Sequence, residues 1–233
     1  FMKIAVIPAR GGSKRIQKKN IKSFCGKPMI AWPIQTAKKS RLFDHILVST
    51  DDEEIAEVAK NFGAEIHFIR PSKLADDHVG IIDVVYHAVD WMLENNWSID
   101  AVCCILSTAS LLQVEDLKRG WKNLNSGSWL YTFSVTEYNS TVFRSFIEHK
   151  NGGLEMLFPE CWNKRSQDLP VAMYDAAQFY WGRPEAWLKK LKIFEQHSCP
   201  VKIPHWRVQD IDNPDDWLRA EILFELISKK YNI

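Results

Sequence analysis

A chain of 233 residues that is 46% hydrophobic has material for one substantial core, and a formal net charge of +1 lacks the basic surplus usual in nucleic-acid proteins. No stretch approaches the roughly 20 apolar residues of a membrane span, and the start lacks the basic and apolar regions of a signal peptide, so an intracellular protein with no membrane or nucleic-acid partner is expected. The five cysteines form no Cys-x-x-Cys pair and no zinc-like Cys/His spacing, and they are read as reduced packing residues.

In chain order, Lys3 to Ile7 predicts a first strand, Lys27 to Lys38 a helix and His45 to Ser49 a second strand. Asp51 with Glu54 three residues on predicts an N-cap and capping box for a helix running to Asn61 and closed by Gly63. Glu65 to Ile69 is a third strand, Ile81 to Leu93 an amphipathic helix, and Ala101 to Leu106 a fourth strand in which Cys103 and Cys104 point to opposite faces. Val114 to Asn123 is a helix and Trp129 to Val135 a fifth strand. From Thr136 to about Asp175 the rhythm fails, with Asn-Gly-Gly at 151–153 and prolines at 159 and 170. Order returns with a strand from Ala176 to Trp181, a helix from Pro184 to Leu191, a strand from Cys199 to Ile203 and a closing helix from Asp215 to Tyr231. Alternating strands and helices define a doubly wound α/β fold in one domain, residues 2–233.

The segment Ile7-Pro8-Ala9-Arg10-Gly11-Gly12-Ser13-Lys14-Arg15-Ile16-Gln17-Lys18-Lys19-Asn20 carries the strongest chemical signal. A strand that breaks into a glycine pair flanked by cations presents backbone N–H groups and positive charge to a phosphate ester. Between Arg10 and Lys22 there are six Lys or Arg and no Asp or Glu, so the positive charge is local and suits a small polyanion. The glycine pair fits neither the P-loop nor the dinucleotide pattern. Near the other end, Asp210 and Asp212 stand at i and i+2, which in extended chain puts both carboxylates on one side, able to share a hard cation such as Mg²⁺. Asp212 could equally do no more than begin the turn before the last helix.

The full N-terminal string resembles the signature of the cytidylyltransferases that activate nonulosonic acids, nine-carbon acidic sugars, as CMP esters. The resemblance runs from Ile4 to about Glu221 and implies a Rossmann-like nucleotidyltransferase fold with a doubly wound mixed sheet, a small extension over about 136–175 packing across a homodimer, and a place in the bacterial cytoplasm making surface glycans. It implies that Ala9, Arg10, Gly11, Gly12, Ser13, Lys14, Lys19 and Asn20 receive CTP, with Arg10 and Lys14 catalytic and Arg70 and Thr108 near the nucleotide. Asp210 and Asp212 would be catalytic holders of Mg²⁺ or Mn²⁺. Arg165 and Gln167, in Arg165-Ser166-Gln167-Asp168-Leu169-Pro170, would meet the sugar acid. Asp175-Ala176-Ala177-Gln178-Phe179-Tyr180-Trp181-Gly182 resembles the pseudaminic-acid branch, whose version reads D-A-G-Q-F-Y-W-G, and makes Gln178 a further sugar contact.

The match is weakest after the fourth strand. Sialic-acid activators read roughly L-Q-P-T-S-P-L-R where this chain reads Ile105-Leu106-Ser107-Thr108-Ala109-Ser110-Leu111-Leu112. Thr108-Ala109 fits the pseudaminic branch better, but Ser110 replaces a proline, and Val79 and Ile81 stand where that branch has threonines after Asp76-Asp77. A site that loses hydrogen-bonding groups discriminates differently, so a sialic or legionaminic acid is the alternative substrate. A relative that binds nucleotide without turnover is the other class; keeping both Asp210 and Asp212 argues against it.

Overall fold

The computed structural model describes residues 1–76 and 78–231. Asp77, read above as half of a loop-forming pair, lies outside the described residues. The elements are β1 (Met2–Pro8), β2 (Ser23–Phe24), β3 (Lys27–Pro28), α1 (Ala31–Ser40), β4 (His45–Ser49), α2 (Glu53–Asn61), α3 (Ile81–Glu94), β5 (Ile99–Ile105), α4 (Val114–Leu124), β6 (Tyr131–Glu137), β7 (Phe146–Glu148), β8 (Leu154–Met156), β9 (Met173–Gly182), α5 (Pro184–Leu188), β10 (Ser198–Lys202) and α6 (Pro214–Tyr231).

Among the described residues six strands form one sheet in the order β10-β6-β9-β5-β1-β4. Pairings of β1 with β4 and β5, and of β10 with β6, are parallel, whereas β9 runs antiparallel to both β5 and β6. The sheet is therefore mixed. Strands buried on both faces read as continuous apolar runs, and alternate residues feed two cores. Ala5 and Ile7 of β1 pack with Ile34 of α1, Ile55 of α2 and Leu117 of α4; Ile4 and Val6 pack with Val85 and Val89 of α3 and Trp187 of α5. Cys103 and Cys104 divide between the same two cores, and burial pushes both thiols up, as inert packing residues require.

A third apolar cluster positions the site. Ile16 from the basic loop, Phe24 of β2 and Met29 close on Ile211 in the loop before α6 and on Trp217 and Ala220 of α6 itself, with Trp217 edge-on to Phe24 at 5.3 Å. Two chain segments nearly two hundred residues apart are thus held together by hydrophobic burial.

Several expected boundaries shift for identifiable reasons. Helix α1 begins at Ala31, not Lys27, because a turn through Gly26, at φ +87°, folds β3 back on β2. The expected third strand reduces to a single bridge between Leu47 and Glu65. The N-cap of α2 is Asp52, whose carboxylate accepts from the Glu54 and Ile55 amides; Asp51 and Glu54 do not form the expected box, since Asp51 accepts from the Gly11 amide at 2.9 Å and Glu54 from Lys18 at 2.5 Å. Helix α5 stops at Leu188. Within the irregular stretch, β7 and β8 form a hairpin whose turn uses Asn151-Gly152-Gly153, with Gly152 at φ +83° and the Asn151 side chain accepting from the Gly153 amide.

The register of β6 against β9 slips between Phe133 and Val135, and Ala177 beside that slip sits at φ +51°. Ser134 fills the gap by accepting from the Gln178 and Phe179 amides. An L-residue in the left-handed region costs about 1–2 kcal/mol, offset in part by the extra unfolded-state freedom of glycine. Ala177→Gly is therefore expected to stabilise the protein by up to about 1 kcal/mol, a rise of roughly 2–4 °C in Tm by calorimetry. A fall in Tm would contradict the left-handed assignment.

Candidate active site

Parallel strands β1, β4 and β5 deliver their C-terminal ends to one edge of the sheet, where α/β folds bind ligands. The chain leaving those ends lines a cavity of about 210 Å³. Its walls take Arg10, Ser13, Lys14, Arg15, Lys19 and Asn20 from the basic loop, Arg70 from the segment after β4, Ser107 and Thr108 from the turn after β5, and Asp212 from the loop before α6. Among the described residues these make five cationic side chains against one carboxylate, a focus of positive potential in a nearly neutral protein.

Local contacts explain the loop's shape. Asn20 is buried, donates from Nδ2 to the Arg10 carbonyl at 2.9 Å and accepts from Ser107 Oγ at 2.8 Å, tying the loop to the turn after β5. A Cβ on Gly11 would lie 2.6 Å from an Asp52 carboxylate oxygen, so only glycine fits against the start of α2. Gly12 faces open space. The expected cradle of amides is partly committed elsewhere: the Gly11 amide faces Asp51, and the Ser13 amide donates to the Gly11 carbonyl. The charge offered to a phosphate ester at this loop comes chiefly from side chains. Ala9 is buried and donates its amide to Ser49, a framework contact that does not reach the cavity.

Arg70 is 4% exposed and held by Ser49, with Nε donating to the hydroxyl at 3.1 Å and a terminal nitrogen donating to the carbonyl. Burial lowers its guanidinium pKa to about 10, which still leaves it charged at neutral pH. Val79, Ile81 and Leu106, three of the departures from the motif that remove polar groups, line the same cavity beside it. Leu112, in place of the arginine, is buried away from it, and Ser110 is buried with its hydroxyl unpartnered.

The acidic loop is pressed onto the basic one. Arg15 donates to Asp212 at 2.7 Å, Lys19 Nζ stands 4.0 Å from the same carboxylate, and Lys19 also donates to the Ile211 carbonyl at 2.6 Å. Burial lowers the Lys19 ammonium pKa against the pull of Asp212 and Asp210. Burial raises the Asp210 carboxyl and the neighbouring Asp212 charge raises it further, opposed by Lys19; since Asp210 keeps solvent access, the carboxylate pair is the firmer cause. Asp212 lines the basic cavity and Asp210, two residues before it, does not; two repelling carboxylates on one short loop fit a hard divalent cation that takes few protein ligands.

The other expected residues lie apart. Arg165 is exposed and forms a two-point pair with Asp168 within the segment between β8 and β9, and neither it nor Gln167 lines the cavity of its own chain. Gln178 is 3% exposed and donates from Nε2 to the Arg207 carbonyl, with its Oε1 left unpartnered. Sequence reasoning missed Arg15, Ser107 and Asp51 as members of the site. Arg15 stood in the basic run, but the other two depend on contacts between distant segments.

A mixed sheet whose strand ends gather a cationic loop and a paired-carboxylate loop defines a nucleotidyltransferase. The family model described as Cytidylyltransferase matches residues 4–201, and the chain belongs to that family. Pseudaminic acid cytidylyltransferase of Campylobacter jejuni subsp. jejuni serotype O:2 is 39% identical over 223 residues, 96% of each chain. CMP-N,N'-diacetyllegionaminic acid synthase of Legionella pneumophila is 27% identical, again over 96% of each. A solved CMP:2-keto-3-deoxy-manno-octonic acid synthetase complexed with CTP superposes at TM-score 0.72 over 97% of this chain and 99% of its own, at 14% identity, a likeness of fold.

Proposed function

We propose that this chain transfers CMP from CTP to the anomeric hydroxyl of pseudaminic acid, releasing pyrophosphate, with Mg²⁺ as the metal. The observation that carries the reading is the convergence of Arg10, Lys14, Arg15, Lys19 and Arg70 with Asp212 on one cavity. The sugar hydroxyl oxygen forms a bond to the α-phosphorus, the bond from that phosphorus to the bridging oxygen breaks, and the hydroxyl proton passes to solvent or a basic group. Positioning and charge suffice, with no covalent enzyme intermediate. Arg10 and Lys14 neutralise the triphosphate, Arg70 stands at the nucleoside end, and Asn20 fixes the loop. Asp210 and Asp212 would hold a divalent cation, whose chemistry there would be further neutralisation of phosphate charge. A second depression of about 620 Å³ shares Ile81 with the cavity, has Asp175 and Tyr180 on its wall, and gives room for a nine-carbon acid. Incubation with CTP, Mg²⁺ and pseudaminic acid is expected to yield pyrophosphate and a CMP ester in equal amounts by mass spectrometry. Pyrophosphate without a sugar ester would refute the transfer.

The proposal includes a homodimer built through residues 136–175. The two-stranded β7–β8 unit is too small to be stable uncovered, and Phe146, Leu154, Trp162 and Val171 around it are 54–70% exposed. Arg165, remote from its own cavity, would then serve the sugar carboxylate of the partner's site, where a guanidinium pairs at two points. Leu154→Asp with Trp162→Glu is expected to give monomers by sedimentation and to raise KM for the acid about tenfold, the equivalent of one lost charged contact. A wild-type monomer at micromolar concentration, or a fully active monomeric variant, would contradict it.

A further inference from the structure

At the end of the sheet away from the catalytic cavity, three metal-ligating side chains meet. His45 opens β4 while Ser49 closes it beside Arg70, so about 13 Å of strand separates the two ends. Glu65 is stitched to β4 by its amide donating to the Ile46 carbonyl and its carbonyl accepting from the Val48 amide. His67, two residues on in extended chain, falls on the same side as Glu65. The result is His45 Nδ1 at 3.0 Å from the Glu65 carboxylate, His67 Nε2 at 2.7 Å from it, and all three ligand atoms within 4.8 Å of one another.

The rings are held by aromatic walls. His45 packs on Trp97 at 4.4 Å between centroids, and His67 lies between Trp91 at 5.3 Å and Trp97 at 5.4 Å. Side chains of all three ligands remain about one-third exposed, which leaves room for a water as an additional ligand.

We propose that His45, Glu65 and His67 form a binding site for a borderline-soft divalent transition metal of the Zn²⁺ type, distinct from the metal of nucleotidyl transfer. Bond lengths of about 2.0–2.2 Å in a tetrahedral shell place ligand atoms roughly 3.3 Å apart, between the 2.7 Å and 4.8 Å limits seen here. The change required is under about 1 Å per ligand, with each imidazole proton moving to the other ring nitrogen. Two imidazoles and one carboxylate suit zinc, cobalt or nickel and disfavour Mg²⁺, which prefers oxygen alone. The site has a structural consequence. Residues 65–70 join the sheet through a single bridge, yet they carry Arg70, three residues beyond His67, to the cavity. A metal on Glu65 and His67 would clamp that segment to β4.

The full chain, stripped with a chelator and titrated with Zn²⁺ in excess Mg²⁺, tests this without an activity assay. About one Zn²⁺ per chain is expected, Co²⁺ should give the visible absorption of a low-coordinate site, and amides of 65–70 should exchange more slowly when Zn²⁺ is bound. His67→Ala and Glu65→Gln, both at the surface, should weaken Zn²⁺ by more than the roughly 10–100-fold that losing a mere orienting partner costs. Asp210→Ala should leave this binding intact. Zn²⁺ bound equally tightly by His67→Ala, or no binding by the wild-type chain below millimolar concentration, would overturn the proposal.

Discussion

Replacing Lys14 by alanine is expected to lower kcat for pyrophosphate release by about 10²–10³-fold, the usual cost of removing one donor aimed at developing charge. Lys14 lies on the cavity wall and is exposed, whereas Ile16 two residues later anchors the loop in the cluster with Phe24 and Trp217. The substitution therefore removes charge without removing the packing of Ile16, and stability should change by no more than about 0.5 kcal/mol, as is typical of surface changes. A compact ammonium on a flexible stem can follow the phosphates as they separate, so the loss should fall on kcat more than on KM for CTP. Unchanged turnover would remove Lys14 from the mechanism.

Asp210→Asn should have an effect of similar size on activity, with stability held or raised. In the proposed mechanism, losing one of the two carboxylates that would hold the cation forfeits several kcal/mol of transition-state stabilisation, on the order of 10³-fold in rate. Yet the Asp210 carboxyl is held above its ordinary value, by burial and by the Asp212 charge. A group whose folded-state pKa is raised costs stability in its ionised form, and the cost is present at neutral pH, above both values. The neutral amide relieves that repulsion. Lower activity together with an equal or higher Tm in metal-free buffer is the expected pair of results, and a lower Tm would contradict the reading of the loop as a strained carboxylate pair. Such a trade of stability for function marks a site.

Much of the architecture was legible because doubly buried strands and amphipathic helices leave strong local patterns. β1, β4 and β5 and helices α3 and α4 appear close to where periodicity places them. Direction is different: β9 reads as a strand, but nothing in its sequence says it runs against its neighbours. Glu65–Ile69 has strand-like composition, yet it sits at the sheet edge beyond β4 and pairs through one residue. The choice between Asp51 and Asp52 as N-cap could not be made locally, since the Gly11 amide, forty residues earlier, claims Asp51. Within the site, the cationic loop announced itself by charge density and the Asp210–Asp212 loop by spacing. Their meeting depends on Ile16 and Ile211, two ordinary apolar residues that carry no signal of contact. Arg165 was legible only by resemblance; in a single chain its partner is Asp168, and its proposed role requires a second copy.

Substrate choice turns on Val79, Ile81 and Leu106 on the cavity wall. Pyrophosphate release from CTP and Mg²⁺ should be followed with pseudaminic, N-acetylneuraminic and legionaminic acids in parallel, with Asp210→Asn as control. Release with pseudaminic acid is expected to be at least about 10²-fold faster than with the other two, and almost absent in the variant. Release favouring another acid would contradict the substrate, and silence with all three would contradict catalysis of this transfer.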